Sequence, residues 1–183
     1  METVILPNNN IVSGNTELNS GVGLLKIGEN LNSYIIKSKI PTDSSEAEIY
    51  LCEKAGQTYV VKYYFNCKPK TEVIEKLKSI KNPDIVTLYE FGEYKDHFYE
   101  IMEYAAGGAL DSKDENGRYK YLPVTEETAV QIIRETVNAF NECHKAGIIH
   151  RDIKPGNLFY KNTDGSDILV GDFGISSYYD VDD

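Results

Sequence analysis

The sequence predicts an α+β protein in which a small antiparallel sheet carrying one helix precedes a second lobe. The first observation is a series of short strand-like runs, Ser33–Ile40, Glu48–Cys52 and Thr58–Phe65, followed by a hairpin of Leu88–Phe91 and His97–Glu103. Ala55-Gly56-Gln57 and Glu93–Asp96 supply turns between them. The second observation is apolar spacing of helical period in two places. Val73, Ile74, Leu77 and Ile80 mark a helix over Thr71–Ile80, with Thr71 as its N-cap. Val130, Ile133, Val137 and Phe140 mark a longer one from the cap Thr125 to Ala146, ended by Gly147, and this stripe is expected to face the core. The third is a late hairpin, Leu158–Tyr160 and Ile168–Val170, joined through Asp164-Gly165.

Composition narrows the class. The chain has 183 residues, 41% of them hydrophobic and 11% aromatic, enough to bury a core as one domain or two small lobes. Its 29 acidic and 19 basic residues give a net charge of −10, which argues against non-specific binding to nucleic acid or anionic membranes. The cysteines Cys52, Cys67 and Cys143 are odd in number and form no C-x-x-C pair, so free thiols in a reducing cytoplasm are expected. No apolar run approaches the ~20 residues of a membrane helix, and the N-terminus lacks a signal-peptide pattern. Residues 1–30 read as a leader, rich in Asn and Gly, that adds a strand or stays mobile; Asp111–Lys120 reads as a charged surface linker.

The polar residues of Ile148–Gly174 carry the chemistry. Asp152, Lys154, Asn157 and Asp172 stand just before or just after the strands of the late hairpin, which can aim two carboxylates, an amide and an amine into one cleft. Phosphoryl transfer from a magnesium-bound nucleotide needs that set. One Asp receives or orients the proton of the attacking hydroxyl. The other Asp and the Asn suit Mg²⁺, which prefers hard oxygen ligands, and the Lys neutralises charge on the transferring group.

His150-Arg151-Asp152-Ile153-Lys154-Pro155-Gly156-Asn157 and Asp172-Phe173-Gly174 match H-R-D-x-K-P-x-N and D-F-G in order and spacing. By these motifs the chain resembles the protein kinases, specifically the serine/threonine kinases, over about Leu31–Gly174. The resemblance implies a protein-kinase-like fold: an antiparallel-sheet N-lobe with one helix over residues 31–104, then a hinge and a partial, mainly helical C-lobe over 105–183. It implies ATP and Mg²⁺ as cofactors and a protein substrate. Asp152 is then the catalytic base, Lys154 its partner at the phosphoryl group, and Asn157 and Asp172 the metal ligands. Arg151 resembles the receptor for an activation-loop phosphate. His150 packs under D-F-G, and Phe173 stacks with His150, Leu77 and Leu88.

In the N-lobe, the phosphate loop G-x-G-x-x-G-x-V aligns with Thr42–Ile49, where Thr42, Ser44 and Ala47 replace the glycines and Asp43 and Glu46 add negative charge. Val60-Val61-Lys62 aligns with A-x-K. Taken alone, Lys62 reads as a solvated strand lysine rather than a cavity one; the resemblance reverses this and makes it the ligand of the α- and β-phosphates. Val60 and Ile49 then roof the adenine and Phe159 lies beneath it. Counting back from Asn82-Pro83-Asp84-Ile85-Val86 puts the helix glutamate that pairs with Lys62 at Val73. Glu72 and Glu75 are its acidic neighbours, and a one-residue slip selects Glu72, while both on a wet face is the competing reading. Ile101–Leu110 resembles the hinge, with Met102 as gatekeeper and the backbone of Glu103 and Ala105 at the adenine edge. His97 has no evident partner.

Only Ile175–Asp183 follow Gly174, so the resemblance implies a fragment that lacks the A-P-E motif and the later helices. The expectation is an uncovered C-lobe surface that self-associates, weak transfer by the isolated chain, and nothing for Ile175–Asp183 to pack on. A pseudokinase or nucleotide-binding scaffold is the alternative function, and a small-molecule kinase a third.

Overall fold

The computed structural model describes residues 23–42, 44–111, 116 and 124–179. Most of the expected leader and linker, together with Asp43 and residues 180–183, lies outside the described residues.

The first lobe is a six-stranded antiparallel sheet. Its strands are β1 (Asn30–Leu31), β2 (Tyr34–Ile40), β3 (Ala47–Lys54), β4 (Gln57–Tyr64), β5 (Leu88–Tyr94) and β6 (His97–Glu103), in spatial order β1-β2-β3-β4-β6-β5. Period-2 alternation gives the sheet two apolar faces. Leu31, Ile36, Tyr50, Val61, Tyr63, Tyr99 and Ile101 close one side. The end of the expected leader belongs to this lobe. Leu25 is buried in the same cluster, and the N–H groups of Leu24 and Leu25 donate to Glu48 Oε2 at 2.7 Å and to the Tyr50 hydroxyl at 3.0 Å. Glu48 also holds Lys39 and the Tyr50 hydroxyl.

Helix α1 (Thr71–Ser79) covers the other face. Thr71 is its first residue; Lys70 occupies the cap position and offers no side-chain bond. Val73 and Ile74 are buried, which turns Glu72 and Glu75 outward. His97 is partnered after all: its Nδ1 lies 2.8 and 2.7 Å from the carbonyl oxygens of Tyr64 and Phe65.

The second lobe comprises β7 (Gly108–Ala109), α2 (Glu126–Lys145), β8 (Ile148–Ile149), a 3₁₀ turn (Pro155–Asn157), β9 (Leu158–Tyr160), β10 (Ile168–Val170) and β11 (Ser177–Tyr178). The sheet β10-β9-β7 is tied to the first lobe by backbone bonds on both sides of Val170: Val86 N–H to Val170 O at 2.9 Å and Val170 N–H to Asp84 O at 2.8 Å. Thr125 caps α2, accepting from Thr128 N–H at 3.1 Å. Glu135 anchors the helix by accepting from Ile168 N–H at 2.8 Å.

Two expectations are corrected here. The stripe on α2 does not face the core: Val130, Ile133 and Val137 are 49, 64 and 58% exposed. The row that packs on the lobe is Ala139, Cys143 and Ala146, beside Ile148 and Val170, with Phe140 at its margin. That row steps by i+4 and i+3 from the helix end nearest β8, where the lobe lies. The segment after Gly174 does find a surface. β11 pairs with β8, Ser176 and Ser177 are buried, and Tyr179 N–H donates to Gly147 O at 2.9 Å.

The chain crosses between lobes at Ala105–Gly108, where Gly107 lies against β9. A Cβ there would stand 2.3 Å from the Asn162 carbonyl oxygen and 2.5 Å from Tyr160 Cβ. Gly107→Ala is therefore expected to force the crossing off β9 and cost about 2–3 kcal/mol, roughly 5–10 °C in Tm, measured by thermal unfolding.

Candidate active site

A cleft opens between the lobes. Ile49 and Val60 from β3 and β4 line it above; Val86 and Phe159 line it below; Met102, Glu103 and Ala105 line the crossing. Ile49 and Val60 pack with Ile40, while Phe159 packs with Ala105, Ala109 and Leu169, so each wall is a small core in its own right. Met102 touches both clusters. Two backbone groups at the crossing have partners: Glu103 N–H donates to Thr87 O at 2.9 Å, and Ala105 C=O accepts from Gly108 N–H at 3.2 Å. Val73, Ile74, Leu77 and Leu88 close the back.

The polar end holds Lys62, Glu100, Asp172 and, at the mouth, Glu46. Lys62 is only 8% exposed, and its Nζ donates to Asp172 Oδ1 at 2.7 Å, joining residues of the two lobes. Burial opposes the Lys62 ammonium, but the carboxylates of Asp172, Glu100 and Glu46 outweigh it and hold the amine above its usual range. Burial likewise raises the Asp172 carboxyl, and Lys62 more than reverses this, keeping it below the ordinary carboxylate range. Asp172 takes a left-handed backbone, φ 57°, which Asp tolerates better than most residues.

Below, the loop after β8 forms one hydrogen-bonded unit. Asn157 is buried; its Nδ2 donates to Asp152 O at 2.8 Å and to Asp152 Oδ2 at 3.0 Å. Lys154 Nζ donates to Asp152 Oδ2 at 2.9 Å. Burial raises the Asp152 carboxyl, and the bonds from Lys154 and Asn157 bring it below the usual range, so it is a carboxylate at neutral pH. His150 fixes the loop from beneath. Asp152 N–H approaches Nδ1 at 3.3 Å, which leaves Nε2 to donate to Gly171 O at 2.8 Å. Its ring meets Phe173 edge-on at 4.7 Å. Phe173 and Leu77 share one apolar cluster, and Leu88 lies in the next. Arg151 is exposed, with φ 67°.

Two of the residues predicted to bind the nucleotide do not line the cavity. Glu72 is exposed, because the phase that buries Val73 and Ile74 carries it to the outer face of α1; Lys62 pairs with Asp172 instead. Ala47 is fully buried where β3 begins, among Tyr64, Ile74 and Leu88. The residue before it, Glu46, lines the mouth in its place. Thr42 and Ser44 line the mouth too, with their hydroxyls turned to the loop itself: Thr42 Oγ1 accepts from Ser44 N–H at 3.1 Å and Ser44 Oγ from Glu46 N–H at 3.2 Å. Hydroxyl turns thus stand where glycines would give backbone freedom. Glu100 is the site residue that sequence reasoning missed. Its signal was a carboxylate two positions before Met102, hence on the same face of the strand.

The family model of the protein kinase domain matches residues 43–182. Calcium/calmodulin-dependent protein kinase type 1B of Rattus norvegicus is 33% identical over 166 residues, covering 84% of this chain and 46% of the relative. Calcium/calmodulin-dependent protein kinase type 1 of Caenorhabditis elegans is 35% identical over 145 residues, 73% of this chain and 40% of the relative. The corresponding type 1 kinase of Macrobrachium nipponense is 39% identical over 109 residues, 58% of this chain and 30% of the relative. The chain thus spans less than half the length of each of these relatives. With Lys62 and Asp172 paired across the cleft, Asp152, Lys154 and Asn157 bonded in the loop below, and the family match covering residues 43–182, this chain belongs to the protein kinase domain family.

Proposed function

We propose that this chain forms the nucleotide site and catalytic loop of an ATP-dependent serine/threonine protein kinase, which transfers the γ-phosphoryl group of ATP to a protein hydroxyl. The observation that carries the reading is the joining of two units across the cleft. The Lys62–Asp172 pair at 2.7 Å joins the lobes, Asp172 lies within electrostatic reach of Asp152, and Gly171 N–H donates to Asn157 O at 3.0 Å, next to the Asp152–Lys154–Asn157 network. Asp152, held ionised, accepts or orients the hydroxyl proton, and Lys154 offsets charge at the phosphoryl group. Lys62 binds the α- and β-phosphates. The adenine lies between Ile49 and Val60 above and Phe159 below, with Met102 as gatekeeper and the backbone of Glu103 and Ala105 at its edge. The Asp172 carboxylate and the Asn157 carboxamide fit Mg²⁺, which takes one or two protein oxygens and completes its shell with phosphate and water. When bound, Mg²⁺ neutralises phosphate charge. Arg151, exposed beside the loop, suits a phosphorylated segment. A cytoplasmic setting is part of this proposal, supported by three free thiols. So is self-association through Val130, Ile133, Val137 and Ile153, all exposed, which concentration-dependent light scattering tests.

The test is transfer of label from γ-³²P-ATP to a generic protein substrate in Mg²⁺. Labelled phosphoserine or phosphothreonine supports the reading. ATP binding without transfer would instead make the chain a nucleotide-binding scaffold.

Glu46 sets the affinity expected. Its carboxylate lines the cavity at the phosphate end, close enough that a Cβ on Gly174 would lie 3.5 Å from Glu46 Oε2 and 3.2 Å from Lys62 Nζ. It therefore competes with phosphate for the same ammonium. Glu46→Gln is expected to tighten ATP by about 3–10-fold in a calorimetric titration, more at low salt than at high.

A further inference from the structure

Lys62 places an ammonium in a cavity, where a charge needs a fixed partner. Asp172 is that partner at 2.7 Å. On the nucleotide reading proposed above, Asp172 also serves Mg²⁺, so its charge is shared when ATP binds. A second anion then has to keep the ammonium in place. Helix α1 offers none: it turns Val73, Ile74 and Leu77 to the cavity and leaves Glu72 and Glu75 exposed. Strand β6 does. Glu100 stands directly opposite Lys62 in the β4–β6 ladder, so the two side chains rise from the same face, and both line the cavity. Tyr64 braces the pair. Its hydroxyl donates to Glu100 Oε2 at 3.2 Å, and its ring centroid lies 5.2 Å from Lys62 Nζ.

We propose that Glu100 is the positioning residue for Lys62: a strand carboxylate that takes the place of a helix glutamate and holds the ammonium at the phosphates. Burial holds the Glu100 carboxyl above its usual range, and the charge of Lys62 is the largest influence opposing that. The inference rests on the nucleotide reading for its purpose but not for the placement of Glu100 opposite Lys62.

The experiment uses the full chain and two readouts. Calorimetric titration with MgATP and with adenosine is run on the wild type, Glu100→Gln, Glu100→Asp and Glu72→Gln. Glu100→Gln is expected to weaken MgATP about tenfold and leave adenosine within about twofold, because adenosine has no phosphate for Lys62 to meet. Glu100→Asp recovers part of the loss. A purely structural defect would lower both ligands together, and that result, or an equal loss in Glu72→Gln, overturns the proposal. The second readout needs no nucleotide. In denaturant unfolding, Glu100→Gln should destabilise less in a Lys62→Met background than in the wild type, since the carboxylate there has lost its cation. Additive effects overturn the pairing. A non-additive cycle in a chain that binds no MgATP sustains the pairing and overturns the nucleotide reading. An additive cycle in a chain that binds MgATP does the reverse.

Discussion

Replacing Asp152 by Asn is expected to lower phosphotransfer about 10²–10⁴-fold, the range for a positioned acid–base group, while ATP affinity stays within about twofold. The structure explains the separation. Asp152 is held from its own loop, by Lys154 at 2.9 Å and Asn157 at 3.0 Å, and it does not line the cleft wall that encloses the adenine side. An Asn side chain has the same shape and can present its oxygen to the same donors, so the loop persists. What it loses is the capacity to accept a proton. Single-turnover transfer measured beside a binding titration separates the two effects. Full activity with Asn at 152 would remove Asp152 from its role.

The second large effect is at Asp172. Asp172→Ala is expected to abolish the dependence of ATP affinity on Mg²⁺, which in the wild type should be tenfold or more, on the order of what coordinating groups and their supports contribute. Calorimetry with Mg²⁺ and with chelator checks it, and the variant should give equal affinities within about twofold. The fold is expected to survive. Lys62 keeps Glu100 and Glu46 within its electrostatic reach, and the backbone on either side of Asp172 is fixed by Gly171 N–H to Asn157 O at 3.0 Å and Ser176 N–H to Phe173 O at 3.0 Å.

The parts of this site legible in the sequence are those whose geometry is local. Asp152, Lys154 and Asn157 lie within one loop, and the turn Pro155–Asn157 folds that loop back on itself. Lys62 was legible by its place in a strand motif, and the crossing residues by theirs. Glu72 was misplaced because helix phase, not spacing from Lys62, decides which side faces inward; burial of Val73 and Ile74 fixes that phase. Glu100 went unseen because its partner depends on strand register between β4 and β6, which no local pattern reports. The stripe on α2 shows the same limit. A 3.6-residue period announces an apolar face without saying what covers it, and Ala139 and Cys143, small and outside that stripe, make the contact. Ser177–Tyr178 carries little strand signal of its own and pairs only because β8 presents a two-residue edge.

The proposed function turns on whether a magnesium nucleotide binds in the cleft. Titration of the wild-type chain with ATP in the presence and absence of Mg²⁺ tests it directly. Saturable one-site binding that tightens with Mg²⁺ and is lost in Lys62→Met is expected. Absence of binding, or equal affinity with and without the metal, would contradict it.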